Sequence, residues 1–509
     1  MDAVLALIAA AAAAGTFFIP APKARAVLAL LALALVPVML AVELWDTSAL
    51  EPLRTRPAPA AFGLALAAMA MGVMAFAFDR RPWLFAPLAV GALPFRIPVD
   101  TGGETANLLL PLYFVIGAGV LAYVWSYLSG RRQGPEDGPG ATEAALLLAL
   151  VLYAVQSSYS SDFEVALKNI AFFYVPFALM LRLLTAVRWQ RETIVRCAYV
   201  LLGLALLFAV IGFFEYATKE LLLNPKVIAQ NQFQSFFRVN SLFFDPSIYG
   251  RFLALVMLGV SAVMLWSSSR RTVILAALAL LVLWAALLLT FSQSSFAALL
   301  VGCAVLAAAR WGLAPVVGAI GAVAVAGLVL VLAAPGAVNL DLGSEGDVDR
   351  ATSGRGDLLT AGVELWQEKP VQGHGSGAFN ERFRDREEAT FEQASAASHT
   401  IPVTVAVEQG VPGLLAYALL LLTSFSMLFH GLGGMRRPSE PPPLETIARM
   451  ALAACFAALV FHTWVYAAFL EDPLTWAIIG ASIGIAASGA SVSPSGTPSP
   501  RTHTATSSP

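Results

Sequence analysis

Four short stretches of this sequence hold the residue types that do chemistry. In 233–249, aromatic residues surround Arg238, and Asp245-Pro246 opens the next apolar run. Asp245 suits a helix N-cap and Pro246 the first helical position. An arginine among aromatics fits an interfacial belt with a snorkelling side chain. It equally fits a cation held at headgroup level, where its planar fork would take phosphate oxygens two at a time. The second stretch is Gly354-Arg355-Gly356-Asp357, followed by an amphipathic segment to Glu368. Arg355 falls near the first turn of that segment, and its plain reading is a solvated surface arginine. The third is Gly373-His374-Gly375-Ser376-Gly377. Three glycines in five residues require left-handed or close-packed backbone, and the N–H groups of such a loop can hold an anion. His374 may be read there as no more than a turn residue. The fourth is His399 at the start of an apolar run, with Glu408 inside it. A neutral histidine can take a proton from a hydroxyl, and an ionisable group within a membrane helix points to function. On a straight helix Glu408 would lie about 13 Å deeper than His399 and half a turn out of phase, so the two are not a ready dyad.

The elements that must position these residues are apolar. Of 509 residues, 58% are hydrophobic and 13% charged, against about 25% charged in soluble domains. Runs near the 20 residues needed to cross a bilayer recur at 3–20, 26–46, 59–78, 83–98, 106–129, 142–158, 163–185, 193–216, 247–267, 272–290, 294–309, 314–334, 399–429, 445–469 and 473–490. They are continuous rather than alternating, so the expected fold class is an all-α polytopic membrane protein. It should have about 12–15 transmembrane helices and a partly helical extracytoplasmic loop. The first run lacks a basic leader and reads as a membrane helix. Basic residues at Lys23/Arg25, Arg80/Arg81, Arg131/Arg132, Arg188/Arg191, Arg270/Arg271, Arg310 and Arg436/Arg437 fall in every second loop. The positive-inside rule puts those loops in the cytoplasm, the N-terminus outside and the tail inside.

The divisions expected are N-terminal helices over 1–217 and a central membrane region over 218–334 with an outward aromatic and arginine segment. A large outward loop over 335–398 follows, then C-terminal helices over 399–490 and a Ser/Thr/Pro-rich cytoplasmic tail over 491–509, which reads as disordered. Cys197, Cys303 and Cys455 lie in apolar runs without metal or disulfide spacing. GxGxxG, GxxxxGK[ST] and HExxH are missing, which argues against nucleotide-driven machines and zinc proteases, and nothing points to nucleic acid.

Taken in order, the stretches resemble the O-antigen ligase / O-antigen polymerase superfamily over roughly 230–415. Arg238 through Asp245-Pro246 resembles that family's arginine and Asp/Asn-Pro helix entry. Thr290-Phe291-Ser292-Gln293-Ser294 resembles its Thr-x-Ser-Arg-Gly/Ser element. Gly354-Arg355, Trp366, Pro370 and the 373–379 glycine run resemble its Gly-Arg, Trp and Pro-x-x-Gly-x-Gly-x-Gly-x-Phe run. His399, Glu408, Gly410 and Gly413 resemble His-Asn…Glu-x-Gly-x-x-Gly. Two positions depart: Gln293 stands where the family has arginine, and Thr400 where it has asparagine. Arg355, Arg382 or Arg96 could stand in for the missing cation.

The resemblance implies a glycosyltransferase acting at the outer (periplasmic) face of the inner membrane. Its partners would be an undecaprenyl-pyrophosphate-linked glycan donor, a glycan, lipid or protein acceptor, and membrane lipids. It implies direct displacement with inversion, without metal or other cofactor. His399, Arg238 and Arg355 would be catalytic, and Asp245, Gln293, Gly373, His374, Gly375 and Glu408 substrate-binding. Polysaccharide polymerase and protein O-oligosaccharyltransferase are alternatives within the superfamily. A lipid or polysaccharide transporter is the alternative of another class, for which Glu164, Lys168 and Glu408 are the mid-membrane charges available.

Overall fold

A computed structural model describes the chain apart from residues 1, 44, 46–49, 101–104, 132–137, 223–230, 232–235, 334–354, 388–399, 437–439, 467 and 491–509. Each of the fifteen apolar runs is, or contains, a helix. In lipid a backbone amide has no partner but its own chain, and a helix satisfies every interior amide within the segment. Among the described residues, ten helices are long and apolar enough to cross a membrane, and shorter apolar helices join them. The protein is an all-α polytopic membrane protein. Beside the helices, the described residues hold one antiparallel two-stranded hairpin, Ile97–Asp100 with Thr105–Leu108, in which Ile97 faces Leu108.

That hairpin corrects the expectation of a span over 83–98. A single 3-10 turn and an eight-residue helix, Phe85–Ala92, cover only about 16 Å at the helical rise. Pro94 and Pro98 then forbid continuation, since each lacks an N–H and disfavours helical geometry in the residue before it. The chain still reaches the far side. Asp79, at the end of helix Pro57–Arg80, pairs with Arg131, just beyond the end of helix Leu110–Leu128. The two helices therefore run parallel, and the short helix with its hairpin makes the return.

Enclosure separates the centre of the bundle from its rim. In Phe163–Thr185, 83% of the apolar window is buried, against 11% in Pro57–Arg80. The latter turns Phe62, Leu64, Met69 and Val73 outward, as a lipid-facing helix must. The central span is not a plain α-helix. Pro176 removes an N–H, and the preceding Ile170–Tyr174 widens into a π turn.

Contacts sort the loops into two sets. On one face Arg182 lies over the Phe17 ring at 5.4 Å, Trp189 N–H donates to Ser488 Oγ (3.1 Å), and Trp266 Nε1 donates to the Met435 carbonyl (3.1 Å). On the other, the Tyr159 hydroxyl donates to the Gln372 carbonyl (2.7 Å) and Arg238 Nε to the Thr290 carbonyl (3.0 Å). The first set holds the loops with basic clusters at Arg188/Arg191 and Arg436; the second holds the stretches singled out for chemistry.

Candidate active site

The glycine run docks onto a broken helix. Ile401–Phe429 is interrupted at Gly410 (φ 62°, ψ −155°), with Pro412 two residues on. Proline has no N–H for the Glu408 carbonyl, and the N–H of Val411 turns away to the Pro370 carbonyl (3.0 Å). The carbonyls so released find partners in the loop. His374 N–H donates to Val407 O (2.9 Å), Gly375 N–H to Glu408 O (2.9 Å), and Gln156 Nε2 to Gln409 O (3.0 Å). Buried backbone groups are seldom left unpaired, and here the break in one helix supplies the docking edge for the loop. A Cβ on Gly410 would lie 2.2 Å from the Val371 carbonyl oxygen, and one on Gly373, also at positive φ, 2.2 Å from the Glu408 carbonyl oxygen.

Loop N–H groups do hold a carboxyl group, and it belongs to the chain. Glu408 Oε2 accepts from Gly377 N–H (2.8 Å) and Oε1 from Phe379 N–H (3.3 Å). His374 is buried, with Nε2 against the Leu365 carbonyl (3.0 Å), so it ties helix Arg355–Glu368 to the loop. Burial holds its pKa below the ordinary histidine value of 6.5. Ala361, Leu365, Phe379, Phe383 and Val407 form a small core beneath the loop, and Arg386 pairs with Glu364 and Glu368 across its two helices. These contacts give Gly373, His374, Gly375 and Glu408 positions in a latch.

A second cluster lies at the same face. Asp245 caps helix Pro246–Trp266 as expected, accepting from Ser247 N–H (2.6 Å) and Ile248 N–H (3.2 Å). The Tyr466 hydroxyl donates to the same carboxylate; burial first, then Asp245, holds that phenol well above its ordinary pKa. Arg238 is fixed at its backbone by Asn231, whose side chain both donates to its carbonyl and accepts from its N–H (3.1 Å each). Its guanidinium and those of Arg251 and Arg96 all interact electrostatically with Tyr466. Arg96 lies against the Phe244 ring (5.2 Å), and burial pulls its pKa down against the attraction of Asp472. Arg251 and Asp472 form an ion pair with both side chains 2% exposed. His462, fully buried, places Nε2 3.3 Å from Ser294 Oγ. Gln293 is exposed at the first turn of helix Gln293–Trp311, whose N-cap is Ser292.

Arg238, Asp245 and Arg96 thus gather around Tyr466, and Ser294, next to Gln293, meets His462, whose ring lies 5.4 Å from that of Tyr466. His399 and the side chain of Arg355 lie outside the described residues; Thr400 is the N-cap of the broken helix. Of the transporter candidates, Lys168 pairs with Glu164 and Glu408 is held by the loop. Four residues were missed from the sequence. Arg251 and His462 sit inside apolar helices, where a lone charge was an available signal. Asp472 sits in the short loop before helix Pro473–Ala490, outside every motif. Glu215 ends helix Arg191–Thr218 and accepts from Ser241 N–H (2.8 Å), Asn240 N–H (3.3 Å) and Leu222 N–H (3.2 Å), pinning the arginine segment.

Fold and site together define a polytopic helical membrane protein that gathers arginines at one face beside a clamped loop. Residues 277–418 match the family model described as O-antigen ligase, so the superfamily resemblance holds across the Thr290 element, the glycine run and the broken helix. At family level this is glycosyltransferase-type chemistry of the O-antigen ligase kind. No curated protein matches the chain.

Proposed function

We propose that the protein transfers a glycan from a polyprenyl-diphosphate carrier to an acceptor hydroxyl at the outer face of the inner membrane. In this orientation the N-terminus is outside and the tail cytoplasmic. The observation that carries the reading is the convergence of Arg238 and Arg96 on Tyr466, whose hydroxyl meets Asp245, at the face where the family-matched loop is clamped.

In the reaction the acceptor oxygen attacks the anomeric carbon and the bond from that carbon to the diphosphate oxygen breaks. The diphosphate leaves with the electron pair, and the hydroxyl proton passes to His399. Arginines placed where negative charge grows lower the barrier without reorganisation. A general base contributes typically about 10²–10⁴-fold, and holding donor and acceptor together adds an entropic advantage. Single displacement inverts the anomeric centre. Arg238 fits the charge role because its backbone and Nε are both fixed, which leaves its terminal nitrogens to aim at the donor. His399 and Arg355 keep the base and phosphate roles implied by the family resemblance.

The test uses membrane vesicles, lipid-linked donor, and the His399→Ala and Arg238→Ala variants. Both should lose transfer at normal protein levels; full transfer by both refutes the reading. Arg355→Lys keeps charge and loses the planar fork, so a mild phenotype argues against two-point phosphate binding there.

A further inference from the structure

We infer that Arg251 supplies, from the facing helix, the diphosphate-binding cation that position 293 lacks. The inference rests on the proposed lipid-diphosphate donor and deepens that reading.

The first turns of helices Pro246–Trp266 and Gln293–Trp311 are in direct contact. A Cβ on Gly250 would lie 2.7 Å from Ser295 Oγ and 3.2 Å from Thr290 Oγ1, and Ser295 Oγ donates to the Ser247 carbonyl (3.0 Å). Arg251 is the next residue on that helix, and its charge acts on His462, whose Nε2 meets Ser294 Oγ beside position 293.

The guanidinium is buried and only partly used. Nη2 pairs with Asp472, while Nε and Nη1 meet no hydrogen-bond partner among the described residues. Asp472 is itself shared, since it also attracts Arg96. One carboxylate therefore faces two guanidinium groups. Close by, His462 Nδ1 is likewise buried without a partner, and its Nε2 meets Ser294 Oγ. Orphaned buried donors are costly, and a buried arginine left two nitrogens short is the pattern that a bound anion completes. Diphosphate oxygens suit the guanidinium better than a single carboxylate does, because several acceptors can meet several N–H groups.

The obvious objection is that Arg251 and Asp472 are only a structural pair. Removing one partner would then strand a charge, whereas removing both is often tolerated. The double variant R251Q/D472N separates the two cases. It also leaves Arg96 nearly balanced, because one attracting and one repelling neighbour go together.

The experiment measures the thermal shift of the purified full-length protein on adding inorganic diphosphate, alongside transfer from lipid-linked donor in vesicles. Wild type, R251Q, R251Q/Q293R and R251Q/D472N are compared. The diphosphate shift should be present in wild type, absent from R251Q and R251Q/D472N, and restored in R251Q/Q293R. Donor kcat/KM should fall at least tenfold in R251Q and R251Q/D472N and recover in R251Q/Q293R. Absence of a wild-type shift, or an equal shift in R251Q, overturns the inference, as does wild-type transfer by R251Q/D472N. If R251Q folds poorly, R251Q/Q293R and R251Q/D472N decide alone: a shift in the latter or none in the former overturns it. An Arg251-dependent shift without transfer by wild type from any lipid-linked donor sinks the transfer reading and leaves the anion site standing.

Discussion

Glu408→Gln separates a latch from a ligand. The two carboxyl oxygens of Glu408 accept from Gly377 N–H at 2.8 Å and Phe379 N–H at 3.3 Å. An amide keeps one acceptor and turns an NH₂ toward the other N–H. One hydrogen bond is lost and a buried N–H is left facing a donor. A lost hydrogen bond costs about 1 kcal/mol and an unsatisfied buried donor about 1–3, so the loop should be loosened by about 2–4 kcal/mol. At about 1.4 kcal/mol per decade, its opening constant rises roughly 30- to 1000-fold. Hydrogen exchange over 369–387, on protein without donor or acceptor, reads that change directly, while peptides from Phe163–Thr185 serve as the internal control. If Glu408 instead binds substrate, exchange in the free protein stays as in wild type and only donor or acceptor KM moves. That outcome would refute the latch.

The other expectations follow from the same contacts. Gly410→Ala places a Cβ 2.2 Å from the Val371 carbonyl oxygen at a backbone geometry used almost solely by glycine; backbone strain alone costs about 1–3 kcal/mol, so the melting temperature should fall and the loop should exchange faster, while an unchanged melt contradicts the broken-helix geometry. The depressed His374 pKa means that the unfolded loop binds the proton more readily than the folded one. Its contribution is therefore complete above pH 6.5 and is lost as the pH falls through the lower folded value. Loop exchange should accelerate on acidification, and His374→Gln should flatten that dependence. Asp245→Ala should cost about 1–2 kcal/mol through the lost cap, read as a lower melting temperature. Asp245→Asn should retain the cap, so a loss of transfer in that variant reports the carboxylate's part beside Tyr466 and Arg238 rather than helix stability.

What the sequence revealed and what it hid divide along contact distance. Each apolar run but 83–98 became helical along most of its length because the bilayer leaves the backbone no other arrangement, and Asp245-Pro246 announced its cap because capping is decided within three residues. The glycine run declared its need for left-handed backbone, and Gly373, Gly375 and Gly377 all have positive φ. It did not disclose which group its amides would meet. That partner, Glu408, lies 31 residues beyond Gly377, and only the break made by Gly410 and Pro412 brings it there. Pro94 and Pro98 were legible as helix breakers, yet the surrounding hydropathy outweighed them and suggested a span. Arg251 was harder to see, since a single charge in an apolar helix looks like an exception until Asp472, 221 residues away by numbering, is found against it. Arg96 is the instructive case. The missing arginine at 293 prompted a search for substitutes, and sequence order ranked it no higher than Arg355 or Arg382. Folding puts Arg96 against the ring of Phe244, next to Asp245, and within the field of Asp472. A charge cluster built from five separate segments has no local signature. Its members become legible only when the loops that end on one face are known to share it.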